Sequence, residues 1–376
     1  VRVAYYAPLK SPDHPVPSGD RRVARFLMAA LSQSGHNVEL ACRLRSRDGT
    51  GDSERQARLA ALGARMAEAL LRRYRTRLAA KPDAWLTYHL YYKAPDWIGP
   101  RVAKGLGIPY VVAEASLAPK RAEGPWAAGH AATLAALDQA EAIIALNPAD
   151  VPALDRRHRI HALAPFLDPE PYRAAASARA RIRRSLAQRH ALDPDVPWLL
   201  AVAMMRPGDK LASYRALAEA AASCCDRPWS ILIAGDGAAR AQVEAAFDAV
   251  APGRARFLGL QDGDALAEVL AACDLFVWPA INEAYGMALL EAQAAGLPVL
   301  AGASGGVPSI VADGETGVLV PPGDTPAFAR ALVELLDDPE RRRRMGMAAQ
   351  ARVIARHSLD SAATRLDAIL REACAR

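Results

Sequence analysis

Short apolar runs alternate with longer segments of helical periodicity along most of this chain. Residues 1–7 read as a first strand, and a polar, proline-rich loop leads from it to Gly19. A helix is expected from about Asp20, with Val23, Phe26, Leu27, Ala30 and Leu31 on one face and Ser18 or Asp20 as its cap. Residues 38–42 read as a strand, and a helix over about 53–80 places apolar residues at 59, 62, 66, 70, 74 and 78. Strands at 84–90, 109–114 and 142–146 follow, separated by helices over 98–106 and 126–139.

Around residues 165–171 the alternation breaks, and an arginine- and alanine-rich helix over about 172–188 bridges to a second series. Its strands are expected at 198–202, 230–234, 255–258, 275–278, 298–301 and 317–320. Helices near 214–222, from 238, over 264–272, from Gly286 and from Pro308 lie between them, and a helical tail runs from about 326 to 376. Strands alternating with helices of this size predict parallel, doubly wound sheets. A length of 376 residues and the break near 165 predict two such domains, 1–165 and 166–355. Folds of this kind bind ligands beyond the carboxyl ends of their strands, so a ligand cleft between the domains is expected.

Composition narrows the class. Hydrophobic residues make up 52% and charged residues 23%, which fits a globular enzyme and excludes wholesale disorder. No apolar run is long enough to span a bilayer, and the first residues lack the pattern of a signal peptide. Five cysteines with no C-x-x-C argue against a disulfide framework or a zinc site, so a reducing, cytoplasmic setting is expected. Charge is divided unevenly. Residues 1–165 carry 24 Lys+Arg against 15 Asp+Glu, and the remainder 23 against 26. The first half therefore favours anionic partners, with contact to an anionic membrane as one candidate. Arg55, Arg58, Arg65, Arg72, Arg73 and Arg75 lie on its long helix, where they form either a solvated face or such a contact surface. Nucleic-acid binding would need basic residues interleaved with aromatics, and no such surface stands out.

The most informative chemistry lies in Asn282-Glu283-Ala-Tyr-Gly286-Met-Ala-Leu-Leu-Glu291-Ala-Gln-Ala-Ala-Gly296-Leu-Pro298. Gly286 marks the helix start, and Gly296 with Pro298 stops it. The N–H groups of residues 285–288 then form an anion site, framed by Glu283 and Glu291. Anion donors beside hydroxyl-accepting carboxylates suit a sugar joined to a diphosphate, although two ordinary glutamates on a capped core helix would look the same. Arg206 and Lys210, after the strand at 198–202, supply a forked and a point cation for a diphosphate. Gly235-Asp-Gly237 is half of a dinucleotide fingerprint, with Arg240 at the third glycine position. Asp193-Pro-Asp195 and Asp262-Gly-Asp264 each spell D-x-D, but one falls in a proline turn and the other suits a cap for a helix starting at Asp264. His14, His89 and His130 are acid/base candidates, each with a structural alternative, and no nucleophilic triad can be assigned. The loop at Gly19 is placed for a phosphate or serves as a turn; it lacks the nucleotide-hydrolase P-loop pattern.

From Ile231 to Asp324 the chain resembles the family 4 retaining glycosyltransferases of the GT-B fold. The resemblance rests on Ile-Ala-Gly235-Asp-Gly237, Phe257-Leu-Gly259, Ala272-Cys-Asp274-Leu-Phe-Val-Trp-Pro279, Glu283-Ala-Tyr-Gly286 through Glu291, Gly296-Leu-Pro-Val, Gly305-Gly306-Val-Pro308 and Asp313-Gly-Glu-Thr-Gly317. It implies two Rossmann-like domains facing across a cleft: an N-terminal acceptor domain joined by a helix at 356–376 that packs back on it, and a C-terminal donor domain. It implies transfer of a sugar, with retained configuration and no metal or other cofactor, from a nucleotide diphosphate sugar of the UDP or GDP type. The acceptor would be a glycan, a lipid or a small molecule. By position, Glu283 would contact donor-sugar hydroxyls and backbone around Tyr285, Gly286, Met287 and Ala288 the phosphates. Glu291 would take the ribose, Arg206 and Lys210 the leaving diphosphate, backbone at Leu258, Gly259 and Leu260 the base, and Gly19 would lie near the phosphates.

Three positions depart from the pattern. Met205 stands where an arginine is usual, with Arg206 one place later, and Leu211 replaces a glycine after the lysine. The family's histidine after the strand beginning at Pro109 is replaced by Glu114-Ala-Ser116. His89 or Glu114 is therefore the candidate acceptor-side base, unless the departing phosphate takes the acceptor proton itself. A nucleotide-sugar epimerase of the same architecture and a non-catalytic nucleotide-sugar-binding protein are the alternatives.

Overall fold

Each of the two apolar series folds into its own six-stranded parallel sheet. The computed structural model describes the whole chain except Pro17, Arg77, residues 155–158, Ala284, Arg376 and the side chain of Ala149. Unit 1 comprises residues 1–164 together with 359–376, and unit 2 comprises residues 165–358.

Unit 1 runs β1 (Arg2–Tyr6), α1 (Gly19–Gln33), β2 (Asn37–Cys42), α2 (Ser53–Arg75), β3 (Ala84–Tyr91), α3 (Gly99–Leu106), β4 (Tyr110–Ser116), α4 (Ala127–Asp138), β5 (Ala142–Ala145) and β6 (Ile160–Ala162). The strand order is β2-β1-β3-β4-β5-β6. Its central strands read as continuous apolar runs because both faces are covered: Trp85, Leu86, Tyr88 and Leu90 of β3 are all buried. Ser18, not Asp20, caps α1, its hydroxyl accepting from the Arg21 N–H at 3.3 Å. This leaves the Asp20 carboxylate available for another contact. β6 is not legible as an apolar run, being a three-residue edge strand whose Ile-His-Ala is only partly covered.

The stripe expected on α2 is displaced. Its buried residues are Gln56, Gly63, Ala67, Leu71 and Tyr74, and Leu78 lies beyond the helix, 80% exposed. Small residues set the contact line, because a Cβ on Gly63 would fall 2.4 Å from the Trp97 Cβ. The six arginines of α2 are all exposed.

Unit 2 runs α5 (Glu170–Ser177), α6 (Arg179–His190), β7 (Trp198–Val202), α7 (Asp209–Ala222), β8 (Ser230–Ala234), α8 (Arg240–Val250), β9 (Ala255–Gly259), α9 (Gly263–Ala272), β10 (Leu275–Trp278), α10 (Met287–Ala294), β11 (Val299–Gly302), α11 (Val307–Ile310), β12 (Gly317–Val320), α12 (Thr325–Asp337) and α13 (Pro339–Arg356). The order β12-β11-β10-β7-β8-β9 puts β7 at the centre. The winding reverses between β7 and β10, and beyond the carboxyl ends of such strands lies the ligand crevice of doubly wound sheets. Asp274 ties this sheet to α6. Its carboxylate takes Arg179 at 2.6 Å, Arg183 at 2.9 Å and the Trp198 N–H at 2.7 Å.

Two expected helices are subdivided. Ala178 separates α5 from α6 where one helix was expected. The tail becomes three helices, the last being α14 (Leu359–Cys374). Asp338 ends α12 and caps α13, accepting from the Arg341 N–H at 2.8 Å, with Pro339 at the first helical position. His357 and Ser358, both buried, interrupt the chain before α14. α14 buries Leu366, Ile369 and Leu370, and its Ala363 carbonyl accepts from the Ser34 hydroxyl at the end of α1 at 2.9 Å. Among the described residues no helix is long and apolar enough to cross a membrane.

Candidate functional site

In unit 2 the loop after β10 and the first turn of α7 meet at the carboxyl ends of the strands. Lys210, on the first turn of α7, donates through Nζ to Glu283 Oε2. The same carboxylate oxygen accepts from the Trp278 Nε1–H at 3.0 Å, and Lys210 Nζ lies 5.3 Å from that indole ring. The Glu283 N–H in turn donates to Ser304 Oγ at 3.0 Å. The Lys210 and Glu283 side chains are 32% and 15% exposed, so the pair is open at its outer edge.

The backbone between β10 and α10 is bent to make this contact. Ala280 and Asn282 both have φ near +53°, uncommon for residues with side chains and concentrated where the surrounding structure holds them. Two bonds hold the bend: the Ile281 N–H donates to Ser213 Oγ at 3.0 Å and Asn282 Nδ2 to Asp209 Oδ2 at 2.8 Å. Both acceptors lie on α7, the helix that also carries Lys210.

Gly286 is the N-cap of α10, left-handed at φ +74°, and makes no side-chain cap bond. The first N–H groups of the helix are thus not taken by a capping side chain, which is what an anion site at a helix start requires. Met287 and Ala288 open the helix, with Tyr285 just before it and all three partly covered. Glu291 lies on the second turn and is buried at 3% exposure.

The other expected donor-side residues occupy the same end of the sheet without joining this contact. Arg206 is exposed in the loop between β7 and α7, while Met205 before it is buried. Leu258 and Gly259 end the edge strand β9, and Leu260 is 68% exposed beyond it. Gly235 and Gly237 have a packing reason: Cβ atoms there would fall 1.9 Å from the Ala203 carbonyl oxygen and 2.3 Å from that of Met205. The half fingerprint therefore serves close approach of two loops. The D-x-D pairs are likewise local. Asp193 accepts from the Asp195 N–H at 2.9 Å, and Asp262 stands at the N-cap position of α9, which begins at Gly263, but makes no side-chain cap bond. Among the described residues no group of three His, Cys, Asp or Glu is placed to hold a metal ion.

Unit 1 gathers its own set. Gly19 begins α1, and Asp20 beside it lies 3.2 Å through Oδ1 from His89 Nδ1. Glu114 Oε1 is 3.7 Å from the same nitrogen. Burial opposes charge on His89, but Asp20 and Glu114 outweigh it and raise its pKa above the ordinary 6.5. Burial raises Glu114 above the ordinary 4.5. His130 is buried in α4, and His14 accepts from the Val16 N–H at 3.1 Å; neither joins this set.

Sequence reasoning missed Trp278, Ser304, Ser213, Asp209 and Asp20 as site residues. Asp209 and Asp20 had a usable signal, since each is an acidic residue opening a helix directly after a strand and a glycine loop. Trp278 and Ser304 had none: Trp278 reads as one more apolar residue of β10, and the bond from Glu283 to Ser304 spans 21 residues and leaves no trace in periodicity.

Residues 200–352 match the family described as Glycosyl transferases group 1. Over 220 residues the chain is 35% identical to the D-inositol 3-phosphate glycosyltransferase of Nocardia farcinica, covering 57% of this chain and 46% of that protein. Over 215 residues it is 34% identical to the alpha-D-kanosaminyltransferase of Streptomyces kanamyceticus, covering 57% of this chain and 54% of that one. The matched region is thus about half the length of these relatives. The structure of HepE from Anabaena in complex with UDP aligns over 99% of this chain and 100% of its own, with a TM-score of 0.75 at 16% identity. The chain has the two Rossmann-like domains of the GT-B fold.

Proposed function

We propose that the protein is a retaining glycosyltransferase of family 4 that takes its sugar from a nucleotide diphosphate and needs no metal. The observation that carries this reading is the Lys210–Glu283 pair beside the start of α10. A cation, a hydroxyl-accepting carboxylate and helix N–H groups are the three elements a sugar diphosphate requires at its reacting end. In this reading Glu283 holds donor-sugar hydroxyls, and the backbone of residues 285–288 with Lys210 and Arg206 holds the diphosphate. Glu291 takes the ribose, and the backbone of residues 258–260 faces the base. The family match spans all of these residues. HepE, which shares the fold, was solved in complex with UDP, and this favours a UDP-sugar among the donors.

In the reaction the bond from the anomeric carbon to the phosphate oxygen breaks while the acceptor oxygen bonds to the same face of that carbon. Negative charge grows on the leaving diphosphate. Lys210 and the α10 N-terminus are preorganised to meet it, which is the largest catalytic contribution a protein makes to such a step. The acceptor proton leaves to the departing phosphate or to a base.

Thermal unfolding with UDP-, GDP- and ADP-sugars in the presence of EDTA tests the reading. A bound donor at a hundredfold excess over its Kd should raise Tm by roughly 5–10 °C. Lys210→Ala should abolish that rise. No rise with any donor, or one that appears only with added divalent metal, would overturn it.

A further inference from the structure

The strand ends of unit 1 hold a cluster that is unusual in backbone as well as side chains. His89 and Glu114 both have left-handed φ values, +63° and +60°. They stand side by side on β3 and β4, between the paired positions Tyr88–Ala113 and Leu90–Ala115. Residues with side chains persist in that conformation only where their surroundings hold them, and such positions concentrate at functional sites. The two kinks bring His89 Nδ1 to 3.2 Å from Asp20 and 3.7 Å from Glu114. Asp150, beyond β5, lies in the field of both His89 and Glu114. The Tyr88 hydroxyl lies in the field of Glu114. Tyr5, at the end of β1, is fully buried, and its hydroxyl stands in the field of Glu114 with no hydrogen-bond partner among the described residues. An unpaired buried hydroxyl of this kind is rare and is relieved when a ligand supplies the missing bond.

Three carboxylates here face one imidazole. The nearby cations act at the margin: Lys10 on Asp20, and Arg47 on Tyr91. Burial makes Glu114 and Asp150 hold their protons above the ordinary range, as expected of carboxylates short of positive charge. A metal ion does not answer the deficit, since among the described residues no three such groups are placed to bind one. The side chains of Asp20, His89 and Glu114 are 39%, 21% and 21% exposed, so a ligand can reach them.

We propose that this cluster is a subsite for a primary ammonium group carried on a polyhydroxylated acceptor. An ammonium donates three hydrogen bonds and brings the positive charge that Glu114 and Asp150 lack, Asp20 already having His89 beside it, while a phosphorylated acceptor would bring an anion into the same field. That the ligand is an acceptor rests on the transferase reading; the ammonium subsite does not.

Ligand-observed NMR titration of the full chain at neutral pH tests the proposal with glucosamine, glucose, N-acetylglucosamine and glucosamine 6-phosphate. Glucosamine should bind saturably, and the other three at least about tenfold more weakly. Glu114→Gln and Asp150→Asn keep side-chain size and should each weaken glucosamine about tenfold. Circular dichroism and thermal unfolding would show that these variants remain folded. Equal binding of glucose and glucosamine, tighter binding of the phosphate, absence of saturable glucosamine binding, or undiminished binding in both variants would each overturn the proposal. If the wild type bound glucosamine but no nucleotide sugar, the transferase reading would fail and the subsite would stand.

Discussion

Glu283 receives the Lys210 ammonium and the Trp278 indole on one oxygen, and its own N–H is held by Ser304. Glu283→Gln keeps the shape and removes the charge. Because the pair is open to solvent it contributes little to stability, so Tm should move by no more than about 2 °C. If Glu283 orders the donor sugar and Lys210 together, kcat should fall about 100-fold. Steady-state kinetics with the identified donor would decide, and an unchanged kcat would remove Glu283 from the mechanism. Gly302 acts on the same loop through sterics. A Cβ there would sit 2.1 Å from the Pro279 carbonyl oxygen, so Gly302→Ala must push back the chain that leads to Glu283. The expected loss is about 1–3 kcal/mol of stability, read as a lower denaturant midpoint with unchanged slope.

At the scale of elements, the sequence was most legible where periodicity and punctuation agreed. Both parallel sheets follow from apolar runs alternating with helices, and Gly286, Gly296 and Pro298 bracket α10 because each residue has a backbone reason to stand there. The α2 contact line was not legible, since Gly63 and Ala67 pack by being small, which hydrophobic spacing does not record. The break before α14 was hidden because tertiary contacts set it: His357 is buried with Nδ1 2.7 Å from the Pro165 carbonyl oxygen. On the donor side, charge and spacing marked Glu283 and Lys210, but their third partner Trp278 looked like one more core residue. The buried histidine also makes stability depend on pH. Burial lowers the His357 pKa below its ordinary 6.5, so the unfolded chain takes up that proton first as pH falls. This contribution to stability is present above about pH 6.5 and is lost as pH drops toward the folded value. Tm measured from pH 7.5 to 5 should decline, and His357→Gln should flatten that decline; an unchanged slope would count against it. Ending the chain at Ser358 removes α14, which packs against α1 and buries Leu366, Ile369 and Leu370. Unit 1 should then become the preferred target of limited proteolysis, while unit 2, which has its own sheet and core, is spared. Equal cleavage of both would show that α14 does not support unit 1.

Across the molecule, charge is partitioned more sharply than the net value of +6 suggests. The excess of basic residues falls in the first 165, and much of it is displayed on α2. Arg58, Arg65 and Arg72 recur every seven residues along that helix, and all three are exposed. Among the described residues only Arg58 of these three pairs with an acid, Glu54 at 3.7 Å, an exposed pair of little strength. A row of solvated guanidinium groups is drawn to an anionic surface by about 1 kcal/mol for each charge, over a range set by the Debye length. The protein should therefore co-sediment with vesicles containing about a third anionic lipid at low salt and be released as salt rises toward the physiological range. Replacing Arg58, Arg65 and Arg72 with Gln should weaken that association about 100-fold and leave Tm within about 2 °C of the parent, because the three side chains support no core contact. Such an outcome would locate the charge asymmetry on one helix face and favour an acceptor met at a membrane surface. If the protein did not sediment with anionic vesicles even at low salt, the arginines of α2 would be a solvated face, and a freely diffusing acceptor would be favoured.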